Sequence, residues 1–216
     1  MIGFVRHFVF LATVALALSV STPQSQAVDI DLLDTITPAT STGDNVIAVG
    51  ERNAQSFMTT ASGSTISQVD LSLKKAPGAA GQYSVSIYSM NSVSSEPDTR
   101  LSYVAQNQSQ SALGTAYGTV SFTGLSIALD PSKNYYIVLE DVTLSAMDWQ
   151  YWDTTSSGIS PSTYWMGYSS GSWISTPSSD YPAMMKVMAT TVPEPAAWAL
   201  SALALVALGT SLRRWS

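Results

Sequence analysis

Cysteine is absent from all 216 residues, and the single histidine is His7. The first absence removes disulfides and thiolate chemistry, so the fold has to hold by packing. The second, once a leader containing His7 is cut away, removes a Ser-His-Asp triad, a Cys-His pair and any His-based zinc site. Charge is also scarce, at 11% of residues, and the body from Val28 to Val192 holds fourteen acidic against six basic side chains. That acidity suits solubility outside the cell and repels nucleic acid, which is excluded as a partner. No window of the body carries an apolar stripe at helical spacing.

What the chain does have begins at its ends. Arg6 gives a positive n-region, Phe8 to Val20 an apolar h-region, and Ser25-Gln26-Ala27 a small-x-small cleavage site. Residues 1–27 therefore predict a signal peptide, cut after Ala27 and read by the Sec export machinery. Near the other end, residues 196–212 carry no charge and are rich in Ala and Leu. As a helix they reach about 25 Å, a transmembrane length once flanking residues snorkel. Arg213 and Arg214 follow in a basic tail, 213–216, which favours the cytoplasmic side of the inner membrane and leaves everything before the helix outside. Between domain and helix, residues 190–195 form a linker ending in Val192-Pro193-Glu194-Pro195, where two prolines favour extended, accessible backbone.

Pro193-Glu194-Pro195, then an uncharged helix, then Arg213-Arg214 resembles the PEP-CTERM sorting signal of exopolysaccharide-producing Gram-negative bacteria. The resemblance covers about the last 25 residues and implies that a membrane enzyme, exosortase, recognises and removes the tail. In that case the tail is a substrate, and the catalytic residues belong to exosortase.

Residues 28–189 read as one domain with strands. "STISQVDLSL" puts Val69, Leu71 and Leu73 on one face, "QYSVSIYS" does so with Tyr83, Val85 and Ile87, and "YGTVSFTG" with Val120 and Phe122. "NYYIVLEDV" is near-continuously apolar, as a central strand buried on both faces requires. Shorter candidates are 46–49, 56–59, 101–105, 125–129, 147–152, 164–168 and 184–189. Turns are expected at 76–81, 95–98, 130–134 and 169–173, and a loop over 35–44. The pattern predicts an all-β fold, an antiparallel β-sandwich or jelly roll, with a helix at each end of the chain. In order, "QSFMTTASGSTISQVDLSL", "GQYSVSIYS", "LDPSKNYYIVLE" and "MDWQYW" resemble choice-of-anchor domains, with subtype R as the pattern followed. "LDPSKNYYIVLE" departs from it where a turn richer in Gly or Thr is expected. That resemblance implies surface delivery and no catalytic residues.

Catalysis would have to come from carboxylates, as in a glycosidase pair. Glu140 and Asp141 are adjacent on an expected strand and point to opposite faces. Asp148 with Asp153, or Glu51 with Glu96, would need tertiary folding to meet. "VDIDLLD" has the acids of a calcium site but neither the glycine nor the polar spacing of an EF-hand loop, and reads better as a strand with Asp29 and Asp31 outward and Ile30 and Leu32 inward. No cofactor is expected, with calcium on other loop carboxylates as the open alternative. The stretch 149–181 concentrates Trp and Tyr among Ser, Gly and Pro. Its rings either close the ends of the sandwich or, on loops, stack on sugars of an exopolysaccharide, for which Trp165 and Trp173 beside glycine-rich turns are the first candidates. The sequence thus predicts an exported, non-enzymatic protein with a structural or adhesive role in the envelope or biofilm matrix, with a carbohydrate-binding module as the competing reading. Its domain would face the periplasm while anchored, and the cell surface or extracellular matrix once processed.

Overall fold

The computed structural model describes residues 27–36, 41–48, 50–143, 146–152, 165–175 and 182–191. Residues 1–26 of the expected signal peptide 1–27, the motif Val192-Pro193-Glu194-Pro195, the apolar stretch 196–212 and Arg213-Arg214 lie outside the described residues, as does Asp153. Among the described residues, no helix is long and apolar enough to cross a membrane.

The chain from Val28 to Thr191 forms a compact unit of two antiparallel sheets. Its strands are β1 (Val28–Asp34), β2 (Ser41–Ile47), β3 (Arg52–Met58), β4 (Ser64–Lys75), β5 (Gln82–Met90), β6 (Pro97–Ser109), β7 (Gly118–Leu129), β8 (Asn134–Asp141), β9 (Met147–Trp152), β10 (Trp165–Ser169), β11 (Ser172–Ser175) and β12 (Met185–Thr191). A single 3-10 turn, Gln110–Ala112, is the one helical element among the described residues. The first sheet runs β1-β12-β4-β9-β2, with β7 along the other side of β4. The second runs β11-β10-β3-β8-β5-β6.

Alternation explains why these segments pair as they do. Val69, Leu71 and Leu73 of β4 point inward and are essentially unexposed, as are Val85 and Ile87 of β5. They join Phe57, Ile137, Leu139, Trp149 and Val187 in the core between the sheets. Strand β8 is apolar on both sides, as expected for a central strand. Tyr135, Ile137 and Leu139 enter the main core, while Tyr136 and Val138 enter a second cluster with Ala54, Tyr88 and Met166 on the other face of the second sheet. The outward side of the first sheet is polar instead, with Gln68 bonded to Asp70, Ser72 to Gln150, and Lys74 facing Asp148.

Two expectations need correction. The loop expected over 35–44 gives way at Ser41, where β2 begins, because Ser41 and Gly43 to Asn45 pair with β9, with a register shift at Thr42. The two strands expected on either side of Gly124 are one, β7. Gly124, with φ of +71°, sits in a bulge opposite Ser67 that absorbs extra residues without breaking the ladder. Strand β12 runs through Thr190, which pairs with both Asp29 and Thr65, to Thr191, which pairs with Val28.

Candidate functional site

Trp149 and Trp165 fall in segments expected as strands and do lie on strands, and Trp173, expected in a turn, lies on a strand as well. Trp149, from β9, is buried in the main core, and its indole Nε1 donates to the Met184 carbonyl at 3.1 Å. Trp165 opens β10 opposite Gln55, and Trp173 lies in β11 opposite Tyr168. Trp165 and Tyr168 are three residues apart on one strand, so the two tryptophans hold register positions of opposite parity. The glycine-rich turn near Trp173 is a two-residue hairpin loop, Ser170-Gly171. Its φ values of +55° and +90° are those of a primed turn matched to strand twist.

Trp173 belongs instead to a row that sequence spacing does not reveal. Glu140 of β8 stands opposite Arg52 of β3, Arg52 opposite Tyr168 of β10, and Tyr168 opposite Trp173 of β11. The four side chains run in a line across four strands on the outward side of the second sheet, about 14 Å from end to end. Arg52 donates through Nε and Nη2 to Glu140 Oε1, at 2.9 and 2.8 Å. Its guanidinium lies 5.0 Å from the Tyr168 ring centroid, a cation-π distance. The Tyr168 and Trp173 rings meet at 63° with centroids 5.1 Å apart, the edge-on geometry favoured by their quadrupoles. At the end of β10, at the parity opposite to Tyr168, the Ser169 hydroxyl contacts Glu51 Oε1 at 3.4 Å. Arg52 and Glu140 keep 30% and 22% of their side-chain surface, so the row is neither core nor free surface. Towards the middle of the same face the Tyr136 hydroxyl donates to the Ser95 carbonyl at 2.5 Å, which holds the β5–β6 turn against the sheet.

The carboxylates separate as alternation requires. Glu140 points outward to Arg52, and Asp141 points inward, where it is 1% exposed. Asp141 Oδ1 accepts from Gln110 Nε2 and from the Thr143 amide, each at 3.2 Å, and Oδ2 is buried without a partner. Burial with two neutral donors and no cation pushes its carboxyl up to about 6. Glu51 is occupied by the Ala48 amide and Ser169. In "VDIDLLD", Ile30 and Leu32 pack on the core and Asp29 and Asp31 face water, as alternation predicts. Lys186 Nζ lies 2.9 Å from Asp31 Oδ2 and 3.4 Å from Asp34 Oδ2, so an ammonium already fills the space between the acids. Asp31, followed by Asp34, raises the pKa of Lys186. Among the described residues no group of three or more His, Asp or Glu side chains converges to hold a metal ion.

No family model matches the chain, and no curated protein matches it. Among solved structures it is similar to the cysteine protease and lectin-like domains of Cwp84, a surface layer associated protein of Clostridium difficile. The identity is 11% and the TM-score 0.47, over 69% of this chain and 36% of that one. The chain thus spans about a third of that structure's length, and likeness at this level assigns no function.

Proposed function

We propose that this chain is an exported, non-enzymatic envelope protein, delivered by its N-terminal signal, held by residues 196–212 in the inner membrane, and released or transferred when exosortase cuts near Pro193-Glu194-Pro195. Its role is structural or adhesive, in the surface layer or exopolysaccharide matrix.

One structural relationship carries this reading. Val28 and Thr191 are register partners in β1 and β12, and the Thr191 hydroxyl donates to the Val28 carbonyl at 3.4 Å. The first and last strands of the domain therefore pair with each other, from one residue after the expected leader cut to two residues before Pro193. Among the described residues, every strand pairing lies within Val28–Thr191. A domain whose strands begin and end between the two expected cuts suits removal of both terminal segments. The non-enzymatic part draws support from composition, since the mature chain would lack both His and Cys, and from Glu140 and Asp141 occupying opposite faces of the sheet.

Mass spectrometry of the native protein from an exosortase-bearing host tests the proposal. The expected product starts at Val28 and ends within residues 192–195, and deleting the exosortase or replacing Pro193 and Glu194 by Ala leaves the tail in place. Recovery of the whole chain from the cytosol with both ends uncut overturns it. Release of reducing sugar from exopolysaccharide by the purified protein overturns the non-enzymatic part.

A further inference from the structure

We propose that the row Glu140, Arg52, Tyr168 and Trp173 is a binding platform for uncharged hexopyranose units of a polysaccharide. The inference rests on the envelope reading for where such a chain is met, and on sheet geometry alone for the site.

The row joins the two elements that sugar recognition needs: flat apolar rings and unused polar atoms beside them. Trp173 and Tyr168 supply the rings, already fixed at right inclination to each other and braced by Arg52. Because β11 is the last strand of its sheet, no strand among the described residues flanks Trp173 on its far side. Among the described residues nothing accepts from the Trp173 indole N–H, and nothing bonds to the Tyr168 hydroxyl. Glu140 uses only Oε1 on Arg52, which leaves Oε2 to accept from a sugar hydroxyl. A ring face binds the C–H side of a pyranose while these atoms take its hydroxyls. Four register positions in line, about 14 Å, offer more than one sugar a place, as an extended polysaccharide strand requires.

Charge decides the class of sugar. Arg52 is matched by Glu140, so the row carries no net positive charge, on a domain that is already acidic. A polyuronate would be repelled at this site, and an uncharged chain would not.

Residue requirements follow. Trp173 contributes ring area, Tyr168 ring area and a hydroxyl, Arg52 the support beneath Tyr168, and Glu140 both an acceptor and the neutralisation of Arg52. Trp165 holds a register position of the other parity and is not part of the row.

The test is calorimetric titration of the exported chain, purified in detergent, with cellohexaose, laminarihexaose and mannohexaose against an alginate hexasaccharide. At least one neutral hexasaccharide is expected to bind, about tenfold or more tighter than alginate. Trp173→Ala should weaken that binding about tenfold or more with the circular dichroism spectrum unchanged, whereas Trp165→Ala should leave it within about twofold. Tyr168→Phe keeps the ring packing and removes only the hydroxyl, so it should fold normally and bind a few-fold less tightly. Glu140→Gln unmasks Arg52, and alginate affinity should rise, which a purely structural role for Glu140 would not produce. If Trp173→Ala misfolds, the Tyr168→Phe and Glu140→Gln titrations decide. Absence of neutral binding, retention of full binding by Trp173→Ala, or equal binding of alginate by the native protein overturns the platform. Fractionation of the same cells separates the two proposals. Protein delivered to the envelope that binds no sugar overturns the platform alone, and sugar-binding protein confined to the cytosol overturns the export reading alone.

Discussion

Gln110 donates its side-chain amide to Asp141 at 3.2 Å, tying the 3-10 turn after β6 to the end of β8. The contact gives Asp141 too little compensation for being buried, and its carboxyl rises from 3.8 to about 6. A carboxyl whose pKa is higher in the folded state binds its proton more tightly there. The stability contribution is therefore fully present below 3.8 and is lost as pH rises through about 6. Asp141→Asn keeps an acceptor for Gln110 and Thr143 and removes the titration. Urea unfolding between pH 4 and pH 7 should show the variant gaining on the native protein by on the order of 2 kcal/mol across that interval. A constant difference between the two would contradict the assignment.

Trp149 fills the main core and bonds the Met184 carbonyl, which also accepts from the Ser72 amide at 3.1 Å. Trp149→Ala should cost about 3–5 kcal/mol, the range for deleting a large buried ring. Trp149→Phe leaves Met184 with its second donor, so it should cost less than half of that. Chemical denaturation of both variants measures the difference.

At the β10–β11 hairpin, Ser170 carries a positive φ that serine tolerates poorly, and Gly171 one that suits glycine. Gly171→Val should lower stability by about 1 kcal/mol or more, and Ser170→Asn should raise it by a few tenths. Because Trp173 follows directly, Gly171→Val should also disturb the near-ultraviolet circular dichroism.

Lys186 provides the cation for Asp31 and Asp34. Millimolar calcium or EDTA should leave the thermal midpoint of the native protein unchanged. Lys186→Gln should cost less than about 1 kcal/mol, as expected for partly exposed ion pairs. A calcium-dependent rise in the native midpoint would point to carboxylates elsewhere.

Much of the sheet architecture was legible because burial imposes a period of two. Val69, Leu71 and Leu73 could be placed inward from spacing alone, and β8 could be placed centrally from its unbroken apolar run. β2 was hidden, since Ser-Thr-Gly-Asp has the composition of a turn and becomes a strand only through pairing with β9. Gly124 carried the signal of a break but served a bulge, because a glycine with positive φ fits either. The row from Glu140 to Trp173 left no local trace. Its members are scattered from Arg52 to Trp173, and only strand order and register bring them into line. Trp173 was singled out for its neighbouring glycines, but they form a hairpin that puts it on a sheet edge. Trp165 was chosen by the same cue and takes a position of the other parity.

The union of Val28 and Thr191 also has a mechanical side. A pull applied at the carboxyl end of the domain enters β12, which is clamped between β1 and β4. Pulled along its own axis, that strand loads its flanking ladders in shear, all rungs together, instead of unzipping them one by one. A domain built this way grips hardest against force applied along its last strand.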